Sequence, residues 1–324
     1  MTTDVNELHS YHPPDWLPGS HPQTIFPFLF RSPEAIIYQR QKIETPDGDF
    51  LHIDWVNKTA GSPLVVLLHG LEGSSNSHYS KALMAKIKHL GWAGCIVHFR
   101  GCSGSPNRLP RAYHSGDSNE LEWIIHELKK MCFGPIFVAG YSLGGNVLLN
   151  WLGRPGYHNV VAINAAVAIS APYDLVIAGN RLSQGVNRVY GGHFLRTLKR
   201  KAIRKIETHK LDISPESIKA CKTLKEFDDR FTAPIHGFNG VDDYWSRASS
   251  KPFLSSINNP TLIIHAENDP FLSGIELKTL TKNNNHIALN LTKYGGHVGY
   301  ISGTFPGHIE WLPERITQYF MDFL

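Results

Sequence analysis

Short apolar runs alternate with helical patterns along most of this chain, and this alternation limits the possible folds more than any other feature. The runs PLVVLLH, AGCIVHF, PIFVAG, VVAINAAVAIS, TLIIHA and IALNLTK are apolar nearly throughout. Helical patterns separate them, for example at residues 79–90 and 121–131. Continuous apolar strands separated by helices are typical of parallel sheets that are covered on both faces. The sequence therefore predicts an α/β protein with a mostly parallel central sheet of about eight strands.

The same pattern divides the chain into three parts. Residues 1–35 are rich in proline and aromatic residues, which predicts an irregular arm packed on the core. Residues 36–172 and 260–324 carry the alternation, from a β-hairpin around Pro46-Asp47-Gly48 to a closing helix at residues 308–323, and they predict the core. Residues 173–259 interrupt it with polar helical patterns, which predicts a helical cap or lid inserted in the core.

Positive charge is concentrated in the predicted cap. The chain has a net charge of +4, but residues 194–210 hold seven basic residues against Glu207 and carry +6, so the remainder is slightly acidic. Leu195, Leu198, Ala202 and Ile206 would share one side of a helix there, with the charges on the other side. A local patch of this kind argues against a nucleic-acid partner. Two interpretations stay open: a solvated lid face, or weak association of the Arg196–Lys210 helix with anionic substrates or an anionic lipid surface.

The cysteines and the N-terminal sequence indicate in which cellular compartment the protein is expected. The four cysteines, Cys95, Cys102, Cys132 and Cys221, show neither CxxC nor zinc-finger spacing. The N-terminal sequence lacks a basic start followed by an apolar core, and no apolar run reaches the roughly 18 residues of a membrane helix. We therefore expect a soluble cytoplasmic protein with reduced thiols. The oligomeric state is not indicated.

The stretch VAGYSLGG places Ser142 between an apolar strand and a helical pattern. Gly140 and Gly144 flank it at two-residue spacing. A sharp turn from strand to helix strains the backbone of its central residue, and small neighbours relieve the crowding. The helix that follows supplies unpaired N–H groups at its N-terminus. The alternative is a plain tight turn with a small residue, but the position between strand and helix favours a nucleophilic serine.

A serine needs a base, a group that orients the base, and donors for an oxyanion. Asp269 follows the strand TLIIHA and His297 follows the strand IALNLTK, so both are expected at the carboxyl edge of the sheet. The chain order of serine, aspartate and histidine is the order of an α/β-hydrolase triad. Glu267 is the nearest competitor for the acid, and Asp242 and Asp243 are more remote.

The sequence HGLEG follows the first core strand, and its glycines allow the chain to turn close to the nucleophile. We predict that the backbone N–H groups of Leu71 and Leu143 form the oxyanion hole. His69 is expected to be a structural residue rather than a base.

With these residues in place, the sequence resembles the α/β-hydrolase superfamily from about residue 36 to the end. More narrowly, it resembles the YheT-like branch of bacterial hydrolases, which is related to animal α/β-hydrolase-domain lipases. The segments GSHPQTIFPFLF, HGLEGSSNSHY, FRGCSGSPNRLPRAYHSGDSNEL, GYSLGGN, FDDRFTAPIHGFNGVDDYWSRASS and GGHVGYI carry this narrower match. The resemblance implies an α/β-hydrolase fold and a serine esterase with Ser142 as nucleophile, Asp269 as acid and His297 as base.

The predicted reaction is hydrolysis of a small-molecule carboxylic ester through an acyl-enzyme, which requires no metal and no organic cofactor. The same acyl-enzyme would serve an acyltransferase, a phospholipase or a lipase. A non-catalytic binding module on a hydrolase scaffold is a third class, and the complete set of triad residues argues against it. The physiological acyl and alcohol groups are not indicated.

Overall fold

The structure is a computed structural model that describes residues 11–30, 33, 35–131, 133–157 and 163–324. Its centre is one sheet of eight strands in the order β1-β2-β4-β3-β5-β6-β7-β8. The strands are β1 Gln39–Glu44, β2 Phe50–Val56, β3 Leu64–Leu68, β4 Ala93–Val97, β5 Ile136–Tyr141, β6 Ala165–Ile169, β7 Thr261–Ala266 and β8 Ile287–Thr292. Strands β3 to β8 are parallel, whereas β2 pairs antiparallel with both β1 and β4. The predicted sheet and its opening hairpin are therefore confirmed.

Helices cover both faces of the sheet, and others lie between β6 and β7. They are α1 Ser20–Phe30, α2 His78–His89, α3 Ser118–Lys129, α4 Leu143–Gly153, α5 Leu175–Arg181, α6 Arg188–His209, α7 Pro215–Ala220, α8 Leu224–Phe227, α9 Ala233–Ile235, α10 Val241–Ala248, α11 Leu277–Leu280 and α12 Trp311–Met321. A π-helical turn at Asp228–Thr232 joins α8 to α9.

The strand β3 shows why the apolar runs are continuous. Successive side chains of a strand point to opposite faces. Val66 and Leu68 pack in a core cluster with α3 and α4, while Val65 and Leu67 pack in a second cluster with α2 and α12. Every residue of β3 is therefore buried, and an alternation of apolar and polar residues would place a polar group in one of the two cores.

Two predicted elements differ from the structure. The arm was expected to be irregular, but residues 20–30 form α1, with Pro22 in its first turn and Pro27 buried. Proline suits a first turn and breaks a helix interior, so the sequence pattern concealed this helix. The last helix begins at Trp311 rather than at residue 308, because His308 exchanges backbone hydrogen bonds with Ser302 in an isolated β-bridge.

Some predictions fall on positions outside the described residues. These are residues 1–10, 31, 32 and 34 of the arm, Cys132 and the beginning of the predicted strand at residues 160–162. Cys95, Cys102 and Cys221 are buried and free of disulfides. None of the described helices contains an apolar stretch of the length that a bilayer span requires.

The helices α5 to α10 all lie between β6 and β7, in the segment predicted as the cap. The long helix α6 buries Leu195, Ala202 and Ile206 against α7 and α8 residues such as Ile218 and Phe227, so the apolar side predicted for the basic run is confirmed. Contacts between this segment and the core include two hydrogen bonds of 2.8 Å from the Asn146 and Asn150 side-chain amides to the Ala248 carbonyl. The division into arm, core and cap remains our interpretation.

Candidate active site

Ser142 lies in the turn between β5 and α4 with a strained backbone. Its φ and ψ are 52° and −118°, a combination rare for a residue with a side chain. Its N–H donates to the Ile169 carbonyl of the neighbouring strand at 2.8 Å. A Cβ atom on Gly140 would lie 2.5 Å from the Gly144 carbonyl oxygen, so the turn closes only with glycine at that position. The flanking glycines therefore permit the sharp turn, as the motif predicted.

The structure brings the three predicted side chains together. His297 Nε2 lies 2.7 Å from Ser142 Oγ, and His297 Nδ1 lies 2.9 Å from Asp269 Oδ2. His297 and Asp269 are 6% and 1% exposed, so the imidazole faces little water except on the side of Ser142. With Asp269 accepting at Nδ1–H, Nε2 is free to accept the hydroxyl proton of Ser142.

The carboxylate of Asp269 is held in its ionised form by its neighbours. Burial raises its pKa, but the adjacent imidazoles of His297 and His265 and the backbone N–H of Phe271 more than compensate, and the pKa lies below its usual value. The Phe271 N–H donates to Asp269 Oδ1 at 2.8 Å. The ring of Phe271 also lies against His297, with centroids 4.1 Å apart. The acid and the imidazole are therefore fixed from several sides.

The alternative acids lie elsewhere. Glu267 pairs with Lys278 at 2.7 Å. In α10, Asp242 pairs with Lys225 at 2.9 Å, and Asp243 pairs with Arg247 at 3.1 Å. Asp269 is thus the predicted acid candidate that contacts His297.

The two predicted oxyanion donors flank Ser142. Leu143 is the first residue of α4, so its N–H has no acceptor within the helix. Leu71 follows β3, and a Cβ on the preceding Gly70 would lie 3.2 Å from Ser142 Cβ, so this loop passes close to the serine. His69 is fully buried, contacts the Gly70 carbonyl through Nδ1 at 2.8 Å and accepts the Phe99 N–H at Nε2, which agrees with the structural role expected for it.

A polar network behind Leu71 was missed by sequence reasoning. Glu72 accepts from the Tyr113 hydroxyl at 2.8 Å and from Lys201 Nζ at 2.8 Å. Its own N–H donates to the Tyr113 oxygen at 3.0 Å, and its φ is 55°. Lys201 belongs to α6, so the network ties the loop after β3 to the segment between β6 and β7. The sequence signal was the acid in HGLEG, but its partners are 41 and 129 positions away.

The arm also contributes to the site, through contacts with the loop of His297 that the sequence did not specify. The Thr24 hydroxyl of α1 accepts the backbone N–H of His297 at 2.8 Å. Gln23 Oε1 accepts the Ile301 N–H at 2.8 Å. Gly296 and Gly299 lie so close to Gln23 and Thr24 that side chains there would collide with the arm backbone. The helix α1 therefore holds the loop that carries His297.

Two cavities meet at Ser142 and His297. The first, which we call the cap cavity, has a volume of about 110 Å³ and is lined largely by residues of the segment between β6 and β7. The second, the arm cavity, has a volume of about 560 Å³ and lies between α1 and the beginning of α6. Both are mainly apolar, and they share Leu71, Ser142, Phe194, Phe271 and His297. Ser142 and His297 therefore lie where two mainly apolar spaces meet.

Among the described residues, no group of three or more His, Cys, Asp or Glu side chains is arranged to hold a metal ion.

Comparison with known proteins agrees with this architecture. The sequence model of the family described as "alpha/beta hydrolase fold" matches residues 63–304. YheT of Escherichia coli (strain K12) is 39% identical over 333 residues, which cover 100% of this chain and 97% of the relative. The phospholipase ABHD3 of Homo sapiens is 28% identical over 323 residues, which cover 96% of this chain and 78% of the relative.

Solved structures show the same fold. An esterase of Pyrococcus furiosus superposes with a TM-score of 0.60 at 20% identity, covering 97% of each chain. Est1E of Butyrivibrio proteoclasticus with bound ferulic acid superposes with a TM-score of 0.57 at 16% identity, covering 89% of this chain and 99% of that one. At these identities the two structures establish the fold alone. The family and its relatives support a hydrolase that acts on small-molecule esters. This chain belongs to the α/β-hydrolase family, in the branch that contains YheT.

Proposed function

We propose that this protein is a carboxylesterase-type serine hydrolase with Ser142 as nucleophile, His297 as general base and Asp269 as the acid that orients the base. His297 takes the proton of Ser142 as Oγ attacks the ester carbonyl, and then donates it to the leaving alcohol. The N–H groups of Leu71 and Leu143 stabilise the oxyanion. Water, activated by His297, then attacks the acyl-enzyme and releases the acid.

The observation that carries this proposal is the continuous contact from serine to acid. The distances of 2.7 Å from Ser142 Oγ to His297 Nε2 and of 2.9 Å from His297 Nδ1 to Asp269 Oδ2 are hydrogen-bonding distances. A hydroxyl in such contact with a neutral imidazole is activated for attack without a metal or an organic cofactor.

A fluorophosphonate probe tests the nucleophile directly, because it forms a covalent bond with activated serines. We expect the wild type to be labelled and Ser142→Ala to be unlabelled. Ser255→Ala, a substitution of an exposed serine away from both cavities, is the matched control and should label like the wild type. Labelling that persists in Ser142→Ala would identify another nucleophile, and no labelling of the wild type would contradict the enzymatic proposal.

Lipid hydrolysis is the second candidate, and the arm cavity favours it. The cavity has about five times the volume of the cap cavity, and Ile25, Phe28 and Leu29 of α1 contribute to its lining. Phe28 and Leu29 remain 61% and 59% exposed. A curated relative is named as a phospholipase. Rates on p-nitrophenyl esters of increasing chain length and on phospholipid in mixed micelles would separate a short-chain esterase from a lipid hydrolase.

We further propose weak association of α6 with an anionic lipid surface, through fewer charges than the sequence implied. Lys201 pairs with Glu72, Lys205 Nζ donates to Asn107 Oδ1 at 2.6 Å, and Lys199 Nζ donates to the Lys219 carbonyl at 2.7 Å. Of the seven basic residues at positions 196–210, four remain exposed, namely Arg196, Arg200, Arg204 and Lys210, and Arg188 at the start of α6 is exposed as well. Each basic residue near an anionic bilayer contributes about 1 kcal/mol.

Vesicle co-sedimentation tests this association. We expect the wild type to bind vesicles of anionic lipid more than zwitterionic ones, and the triple variant Arg196→Gln, Arg200→Gln, Arg204→Gln to lose the difference. Equal binding by the wild type and the variant would contradict association with a lipid surface. The basic side of α6 would then be a solvated face of the lid. A cytoplasmic location remains a prediction of the sequence.

A further inference from the structure

A single carboxylate lies in the otherwise mainly apolar cap cavity. Asp228 begins the π-helical turn between α8 and α9 and lines the same cavity as Ser142 and His297. The Thr232 hydroxyl donates to its Oδ1 at 2.7 Å, and the Trp245 indole N–H donates to its Oδ2 at 2.8 Å. The residue is half-buried, as expected of a group at a cavity wall. Turns of π-helix occur frequently at functional sites.

No cation among the described residues forms an ion pair with Asp228. The two nearest basic residues in sequence are engaged elsewhere: Lys225 pairs with Asp242 at 2.9 Å, and Arg230 Nη1 donates to the Ser217 carbonyl at 2.9 Å. Burial raises the pKa of Asp228 to about 6, although the two hydrogen bonds oppose the change. When the group is ionised, the cavity offers it these two hydrogen bonds and, among the described residues, no cationic side chain.

The two hydrogen bonds leave part of the acceptor capacity of the Asp228 carboxylate unused. Each of its oxygens has two lone pairs, and each receives one donor from the protein. A carboxylate at a cavity wall with a raised pKa and no ion-pair partner is a candidate for ligand binding. The remaining acceptor sites therefore suit a donor that arrives with the substrate.

We propose that Asp228 forms a specificity subsite in the cap cavity for an O–H or N–H donor, a hydroxyl or an ammonium group, on the part of the ester remote from the scissile carbonyl. Apolar side chains of Leu175, Leu182, Leu224 and Phe227 line the cavity around it and suit the hydrocarbon that joins the donor to the ester. This inference rests on the proposed ester hydrolysis at Ser142. The proposed subsite favours esters that carry a hydrogen-bond donor, which a purely hydrocarbon ester lacks.

The test compares kcat/KM for matched esters that end in a methyl, hydroxyl, ammonium or trimethylammonium group. One series carries the terminal group on the acyl chain and the other on the alcohol, each at several chain lengths. Wild type, Asp228→Asn and the matched control Asp212→Asn, which changes an exposed aspartate outside both cavities, are assayed by acid release. Asparagine keeps the shape of the side chain and an acceptor for Trp245, and thermal unfolding of each variant verifies the fold.

We expect the wild type and Asp212→Asn to prefer the hydroxyl- and ammonium-terminated esters of one series over the methyl-terminated esters. Asp228→Asn should reduce that preference by about 10- to 100-fold, the range expected for a hydrogen bond to a charged group, with activity on methyl-terminated esters retained. An equal loss on all esters would assign Asp228 a purely structural role and overturn the inference.

Two further results would also overturn it. One is the absence of any preference in both series. The other is an equal preference for the trimethylammonium group, which has no N–H to donate. Failure of fluorophosphonate labelling at Ser142 would instead reject the proposed hydrolysis itself, so the two failures are distinguishable.

Discussion

At the scale of single residues, the site depends on a residue with an unusual backbone conformation and on a fully buried polar side chain. Ser142 has a positive φ, which leaves its hydroxyl at the turn and the N–H groups of α4 behind it. His69, two positions before Leu71, is fully buried with one ring nitrogen near a carbonyl and the other accepting a backbone N–H. One donor and one acceptor are what a neutral imidazole offers, so protonation of His69 would break a buried hydrogen bond.

The neutral state of His69 predicts a pH dependence of stability. Burial lowers the pKa of His69 to about 3 in the folded protein, while the unfolded chain binds the proton near pH 6.5. The unfolded state therefore holds more protons between these values, and the free energy of unfolding falls as the pH decreases through 6.5. The contribution is about 1.4 kcal/mol per pH unit.

The substitution His69→Gln removes this titration and retains hydrogen-bonding groups. Between pH 6.5 and 5, the free energy of unfolding should fall by about 2 kcal/mol more in the wild type than in the variant. Urea unfolding at several pH values measures both slopes. Parallel slopes would show that His69 titrates alike in the folded and unfolded chains.

At the scale of elements, the loop after β3 is held from two directions. Lys201 of α6 and Tyr113 both donate to Glu72, which is adjacent to the proposed donor Leu71. The Glu72 side chain is only 8% exposed, so loss of a donor there is not readily replaced by water.

Removing the Lys201 contact should affect the rate more than substrate binding. In Lys201→Met the loop loses one anchor, and we expect kcat to fall about 10-fold with a smaller change in KM, because the oxyanion donor is displaced. Lys199→Met on the same helix is the matched control, since Lys199 contacts only the Lys219 carbonyl among the hydrogen bonds described. Equal kcat values for the two variants would contradict a positioning role for Lys201.

Two glycines in helices allow a paired test of close packing. A Cβ on Gly144 of α4 would collide with the carbonyl oxygens of Leu68 and His69, whereas a Cβ on Gly192 of α6 meets no atom within 4 Å. Gly144→Ala should destabilise the protein by about 2 kcal/mol, because α4 must move away from β3. Gly192→Ala should be neutral or stabilise it by up to about 1 kcal/mol, since alanine favours helix. Thermal unfolding that ranks the two variants in the opposite order would refute this packing argument.

At the scale of the whole molecule, the two ends of the chain meet at the candidate active site. The arm helix α1 meets the loop between β8 and α12, with Thr24 accepting the His297 N–H and Tyr11 donating to the Ile301 carbonyl at 2.6 Å. Residues from nearly both ends of the sequence thus fix the proposed base. The segment between β6 and β7 encloses the serine from another side through the cap cavity.

Thr24 provides the test at this scale. Thr24→Val keeps the shape but leaves the His297 N–H without its acceptor, a loss of about 1–3 kcal/mol for a buried donor. We expect slower fluorophosphonate labelling and a kcat lowered by about 10-fold. Thr24→Ser retains the hydroxyl and should behave like the wild type. If valine and serine have the same effect, the arm does not position His297.

The sequence by itself determined the strands, the order of serine, aspartate and histidine, and the apolar side of α6. These follow from local periodicity and from motifs at strand ends, which depend on neighbours in sequence. It also favoured Asp269 over Glu267, and the contact of Asp269 with His297 agrees with that choice. Local patterns failed where prolines concealed α1.

Only the tertiary structure decided which groups support the site. The Thr24 contact joins residues 273 positions apart, and the Lys201–Glu72 contact spans 129. Asp228 appeared in the sequence as one acid in a polar cap, and its place in the cavity that Ser142 also lines depends on how α8, α9 and α10 pack. Such contacts arise from the packing of distant elements, and periodicity records which face of an element is buried but not which residue lies opposite it.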